Sequence, residues 1–106
     1  MAPYWTEHWG NPSSRQHRQG LTASAAIALA RRQIAEALCI DPNRLIFTSG
    51  ATEANNLALL GHARTHGGGH LISVRTEHHA VLDPLAQLQR EGFQVSLLQA
   101  QSNGLI

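Results

Sequence analysis

The sequence predicts an α/β fold with parallel strands. Amphipathic helical stretches alternate with short apolar runs, and breaks such as DPN at 41–43, GGG at 67–69 and Gly92 fall between them. Beyond residue 20 the order reads helix, strand, helix, strand, helix, strand, which is the pattern of a sheet wound with crossover helices.

The elements follow in chain order. Residues 1–20 contain aromatics without periodicity and then Gly, Asn, Pro and Ser in series, so a terminal segment running into a loop is expected. From Thr22 to about Leu38, Ala23, Ile27, Ala30, Ile34 and Leu38 share one helical face, with Arg31, Arg32 and Glu36 elsewhere. The DPN turn ends that helix, and Leu45 to Thr48 is a short strand candidate. Thr52 to about Ala63 is helical again and stops at the three glycines. Leu71 to Val74 is the second strand, followed by the loop RTEHH. Asp83 and Pro84 resemble an N-cap and first helical position, although the apolar spacing also allows a start near Ala80. This helix ends at Gly92, Gln94 to Leu98 forms the third strand, and QAQSNGLI supplies a turn.

Composition narrows the function. The 106 residues carry eight basic and seven acidic side chains, a formal net charge of +1, so no strong field draws nucleic acid or an anionic membrane. With 42% hydrophobic residues and a mean hydropathy of −0.20, the chain has the profile of a soluble protein. No apolar run approaches a membrane span and no secretory leader pattern opens the chain, so a cytoplasmic location is expected. Cys39 is the sole cysteine, and its place at a helix end suggests a small buried apolar side chain. All eight basic residues are arginines, so no lysine side chain is present to form a Schiff base.

A strand entering a helix through Ser49, Gly50 and Ala51 aims free N–H groups and the positive helix end at one point, which suits a phosphate. Thr52 adds a hydroxyl donor. An ordinary strand-to-helix turn capped by Ser49 or Thr52 has the same spacing, and neither a dinucleotide fingerprint nor a P-loop is present. TEHHA at 76–80 falls just beyond the second strand, at the edge where parallel sheets bind ligands. A histidine there can stack on a planar ring and move protons, or be a loop histidine with no role. His62 and His66, spaced i, i+4 with His70 beyond, suggest a zinc or nickel site. No cysteine or carboxylate completes that set and glycines interrupt it, so no metal is assigned.

Together GNPSS followed by His17, FTSGATEANNLALLG, TEHHAVL, LQREGFQV and NGLI resemble, in order, the N-terminal part of a cysteine desulfurase of the NifS/IscS type. That family belongs to the class V aminotransferases, which use pyridoxal 5′-phosphate. The resemblance implies a fold type I large domain, of which this chain holds part of a mixed, mainly parallel sheet flanked by helices. It further implies that the strand at 45–48 lies apart from the other two, which are neighbours. Ala51 and Thr52 would bind the cofactor phosphate, and His78 would stack on the pyridine ring and serve catalysis. His79 receives no role, and Asn55 and Asn56 would orient the loop from within the helix.

The implied reaction converts L-cysteine to L-alanine and passes sulfur, as a persulfide, to an acceptor or scaffold protein of iron-sulfur cluster assembly. A homodimer is implied for the complete enzyme. The lysine and persulfide cysteine of the family match no position here, so the chain alone is expected to be inactive. Two other readings stay open: a non-catalytic truncated product or partner-binding fragment, and another class V aminotransferase-type enzyme.

Overall fold

The computed structural model describes residues 2–106. The chain divides into two compact units, Met1–Phe47 and Thr48–Ile106.

The first unit holds a one-turn helix α1 (Pro3–Thr6), a long helix α2 (Arg18–Ala37) and a 3-10 turn (Pro42–Arg44). Where the sequence suggested only a loop over residues 1–20, Pro3 opens α1, because its missing N–H costs nothing in the first helical turn. Helix α2 likewise begins four residues before the expected Thr22. His17 is its N-cap: Nδ1 accepts the Gly20 N–H at 3.3 Å, and Nε2 lies 2.8 Å from the Ser14 hydroxyl. Gly20 is required there, since a Cβ would collide with the Ser14 carbonyl oxygen. The helix buries Ala23 and Ala35, while Ile27 and Ile34 of the expected apolar face stay exposed.

Cys39 corrects the expectation of a buried thiol. It is exposed, with φ of 53°, just past the end of α2. Its N–H reaches the Glu36 carbonyl, and the Ile40 N–H reaches that of Ala35. This pair of bonds turns the chain outward at a left-handed residue, a place usually taken by glycine. Closing the helix therefore overrides the thiol's preference for the interior.

The strand expected at Leu45 to Thr48 is not formed. Leu45 is extended, but among the described residues only two strands pair, and neither is this one. Arg31 holds the segment instead: its Nη1 donates to the Leu45 carbonyl and its guanidinium lies over the Phe47 ring, 4.8 Å from the centroid. Extended conformation is a local property, whereas a strand needs a neighbour to take its N–H and C=O groups.

The second unit is helix α3 (Ala51–His66), strand β1 (His70–Val74), helix α4 (His79–Arg90) and strand β2 (Gln94–Leu98). The strands pair in parallel from His70↔Gln94 to Val74↔Leu98, as the resemblance implied. Gly67 ends α3 at φ 69°, donating its N–H to the Ala63 carbonyl. Helix α4 takes the earlier of its two expected starts, so Asp83 and Pro84 lie inside it and are not its cap. The helix buries Ala80, Pro84, Leu85 and Leu88 along one face. That face begins with Ala80, so its burial favours the earlier start over the one backbone bond that Pro84 forfeits.

Helices α3 and α4 pack together, and one ion pair reveals their direction. Arg64, near the end of α3, donates from Nε and Nη2 to both Glu91 oxygens, at 3.0 and 2.6 Å, just past the end of α4. The two C-terminal ends are thus side by side and the helices run parallel. Glu91, which also accepts from Gln87, is pushed down to about 2, chiefly by the Arg64 hydrogen bonds. A folded value below the ordinary 4.5 means that the unfolded chain binds more protons on acidification. The pair's contribution should be complete above about pH 4.5 and fade as pH falls toward about 2. Arg64→Ala is expected to flatten that part of the acid-unfolding curve followed by circular dichroism. An unchanged curve would show that the pair does not link the helices.

No helix of the described residues is long and apolar enough to cross a membrane.

Candidate functional site

Helix α3 begins at Ala51 with Gly50 as its N-cap and no side-chain cap. Ser49 and Thr52, the two caps that sequence spacing suggested, are both otherwise placed. Thr52 lies within the first turn, and Ser49 donates from its backbone N–H and from its hydroxyl to one Glu53 oxygen, both at 2.7 Å. Those two bonds, the backbone one first, hold the Glu53 carboxyl below its usual range. The acid thus spends its charge on the incoming loop. N–H groups of the first helical turn, which have no carbonyl within the helix to bond, point out of its start. Gly50, Ala51 and Thr52 are exposed, and a Cβ at Gly50 would meet nothing within 4 Å. From the next turn Asn56 donates to the Thr52 carbonyl at 2.8 Å, which ties the turn down.

His78 follows the turn after β1 and is the N-cap of α4. Its Nδ1 accepts the Ala80 N–H at 3.0 Å, so the neutral ring carries its proton on Nε2. The ring is exposed and meets His79 edge-on at 6.4 Å between centroids. His79 leans instead toward Asp83, at 3.6 Å.

The parallel alignment brings these residues to one end. Arg64 lies thirteen residues beyond Ala51 and Glu91 twelve beyond His79, so with their C-terminal ends paired the two helix starts are level to within about one residue's rise of 1.5 Å. Packed helix axes lie about 8–10 Å apart. Since only the turn at 75–78 separates β1 from α4, both starts sit at the C-terminal edge of the strands, the usual ligand edge of a parallel sheet. Ala51, Thr52 and His78 therefore share an edge. A cleft of about 390 Å³ lined by Glu7, His8, Arg18, Gln19 and Thr22 belongs to the first unit and contains none of them.

Sequence reasoning missed the Glu53 clamp and the capping role of His78. The acid four residues after Ser49 was a usable signal, being a capping-box pair displaced by one residue. Histidine is an uncommon cap, and nothing in TEHHA reveals which of its nitrogens is engaged.

This uncapped helix start, with a ring at its side, can take an anionic group joined to a planar one. The chain is 51% identical over 108 residues to the cysteine desulfurase IscS of Neisseria gonorrhoeae, covering 100% of this chain and 27% of that protein. Against the IscS of Vibrio vulnificus it is 54% identical over 100 residues, covering 92% and 25%. It therefore spans about a quarter of the length of these relatives. Among solved structures, a NifS-like protein superposes with a TM-score of 0.80 at 33% identity, covering 94% of this chain and 28% of that one. A structure described as SspA in complex with cysteine gives 0.80 at 39% identity, covering 98% and 30%. Residues 1–106 match the family described as aminotransferase class-V over their whole length, and the chain belongs to that family.

Proposed function

We propose that this chain supplies the phosphate- and ring-binding part of a cytoplasmic, pyridoxal 5′-phosphate-dependent cysteine desulfurase. The reaction is conversion of L-cysteine to L-alanine, with sulfur leaving as a persulfide toward an acceptor or scaffold protein of iron-sulfur cluster assembly. The observation that carries the reading is the level pair of helix starts, one with uncapped N–H groups and the other with an exposed imidazole. Family membership supports the cofactor, and the relatives named IscS support the reaction.

The residues present fit that cofactor. Ala51 and Thr52 would donate their first-turn N–H groups, and Thr52 its hydroxyl, to phosphate oxygens, where the small Ala51 side chain leaves room. Glu53 holds the preceding loop without entering that space. The imidazole of His78 would lie against the cofactor ring, with the Nε2 proton free to be given up or shared. When bound, pyridoxal phosphate supplies an electron sink for the substrate's breaking bonds. No side-chain amine of this chain can hold it covalently, since lysine is absent from all 106 residues. The isolated chain is accordingly inactive, and turnover needs the remainder of a homodimeric enzyme.

Thr52→Ala in an enzyme carrying this sequence should weaken cofactor binding by about 1.5–3 kcal/mol, the loss of a hydrogen bond to a charged group. Titration of the cofactor-free enzyme with pyridoxal phosphate measures this, and Thr52→Ser should restore most of the affinity. Equal affinity for wild type and Thr52→Ala would remove Thr52 from the phosphate site.

A further inference from the structure

We propose that His62 and His66 form a two-nitrogen chelate for one divalent transition-metal ion of the zinc class, with water completing the coordination. This does not depend on the cofactor reading, because the pair lies in the last turns of α3, at the end away from Ala51 and Thr52.

Four residues apart on a helix, the two side chains share one face. The structure stacks their rings, with centroids 4.1 Å apart and planes inclined by 32°. In the stacked pose the two lone pairs do not converge, but among the described residues the His62 ring makes no hydrogen bond and can turn to bring one nitrogen beside that of His66. His66 is also oriented for this. Its Nδ1 lies 2.9 Å from the His62 carbonyl oxygen. A carbonyl oxygen can only accept, so Nδ1 carries the proton and Nε2 keeps the lone pair. A ring whose other N–H is held by a backbone carbonyl is the usual arrangement of a metal-bound histidine, because that bond selects the ligating nitrogen and steadies the ring.

Local charge favours a cation as well. The C-terminal end of a helix is its negative pole. The one arginine between the histidines, Arg64, is engaged by both oxygens of Glu91, which offsets its repulsion. Both rings are exposed, so an ion reaches them without disturbing the core. Among the described residues no third His, Cys, Asp or Glu joins them in a metal-binding group. The site is therefore open and exchangeable, unlike a closed structural zinc centre. Imidazole donors suit zinc, copper and nickel and do not suit magnesium or calcium. His70, considered with this pair from the sequence, points its Nε2 at the Ser96 hydroxyl, 2.8 Å away, and takes no part.

The test titrates the purified chain with zinc against a colorimetric chelator. One equivalent should bind, and His62→Ala and His66→Ala should each weaken binding about tenfold or more, at least the loss seen when a supporting partner of a metal ligand is removed. His70→Ala and Cys39→Ala should leave it unchanged. Proton NMR of the wild-type chain gives an answer that needs no variant: zinc should shift the ring resonances of His62 and His66 together, ahead of those of other histidines. Zinc affinity insensitive to both alanine substitutions, affinity lost with Cys39→Ala, or ring shifts that miss either histidine would overturn the proposal.

Discussion

His78→Ala, made in an active enzyme that carries this sequence, is expected to lower kcat by about 10²- to 10⁴-fold at saturating substrate and cofactor, the usual worth of a positioned proton-transferring group. The structure adds a complication that sequence reasoning did not foresee. His78 also caps α4 through the Ala80 N–H, and losing a cap to alanine costs about 1 kcal/mol in stability. A slow alanine variant could therefore reflect a displaced helix. Asparagine separates the two roles, because it is among the best N-caps yet neither stacks like an imidazole nor moves protons near neutral pH. His78→Asn should keep the thermal stability of the wild type and be about as slow as His78→Ala. A wild-type kcat in His78→Asn would leave His78 with a capping role alone.

Leu88→Ala is expected to destabilise the 106-residue chain by about 2–5 kcal/mol, since a buried leucine truncated to alanine loses its transfer energy and leaves a cavity. Leu88 is fully buried, at 0% exposure, and Leu85 is the only other large aliphatic in the buried core of the described residues, where it is joined by Pro84 and the small Ala23, Ala35, Ala63 and Ala80. So small a core has little to spare. Against a typical folding stability of about 5–15 kcal/mol, such a loss removes a large share or all of it. Urea unfolding read by circular dichroism measures the change, with Leu88→Met as the control expected to cost under about 1.5 kcal/mol. A loss below about 1 kcal/mol for Leu88→Ala would show that Leu88 does not anchor the second unit.

The reading of elements succeeded where the signal was local. Gln94 to Leu98 emerged with the expected bounds, and the glycines at 67–69 ended α3 where the sequence placed its stop. Gly67 does this through a left-handed conformation that glycine adopts without cost. Boundaries drifted where a side chain of uncertain purpose intervened. His17 and His78 both cap helices through Nδ1, and each starts its helix earlier than the Thr22 or Asp83 signal suggested. In both cases a histidine Nδ1 that accepts a backbone N–H marks the start.

The apolar run Leu45 to Thr48 marks the limit of periodicity. Its composition is that of a strand and its backbone begins extended, yet it has no strand partner among the described residues. Ile46 is 65% exposed as a result. Cys39 shows the same limit from the other side, since the free-thiol preference for burial yields to the two backbone bonds that close α2.

By itself the sequence determined the α/β class, the identity and order of the main helices and the two strands that pair, and it pointed to Ala51, Thr52 and His78 as the residues here proposed to meet the cofactor. These rest on spacing, capping and turn residues, which act between near neighbours in the chain and so are written in its order. Only the tertiary structure decided that α3 and α4 run parallel with level starts, which nitrogen of His78 is engaged, and that Glu53 is held by Ser49. Parallel alignment shows itself where Arg64 meets Glu91 across 27 residues, and a strand depends on a neighbour at its edge. Such contacts are selected in space by packing and hydrogen-bond satisfaction, and no local pattern along the chain encodes them.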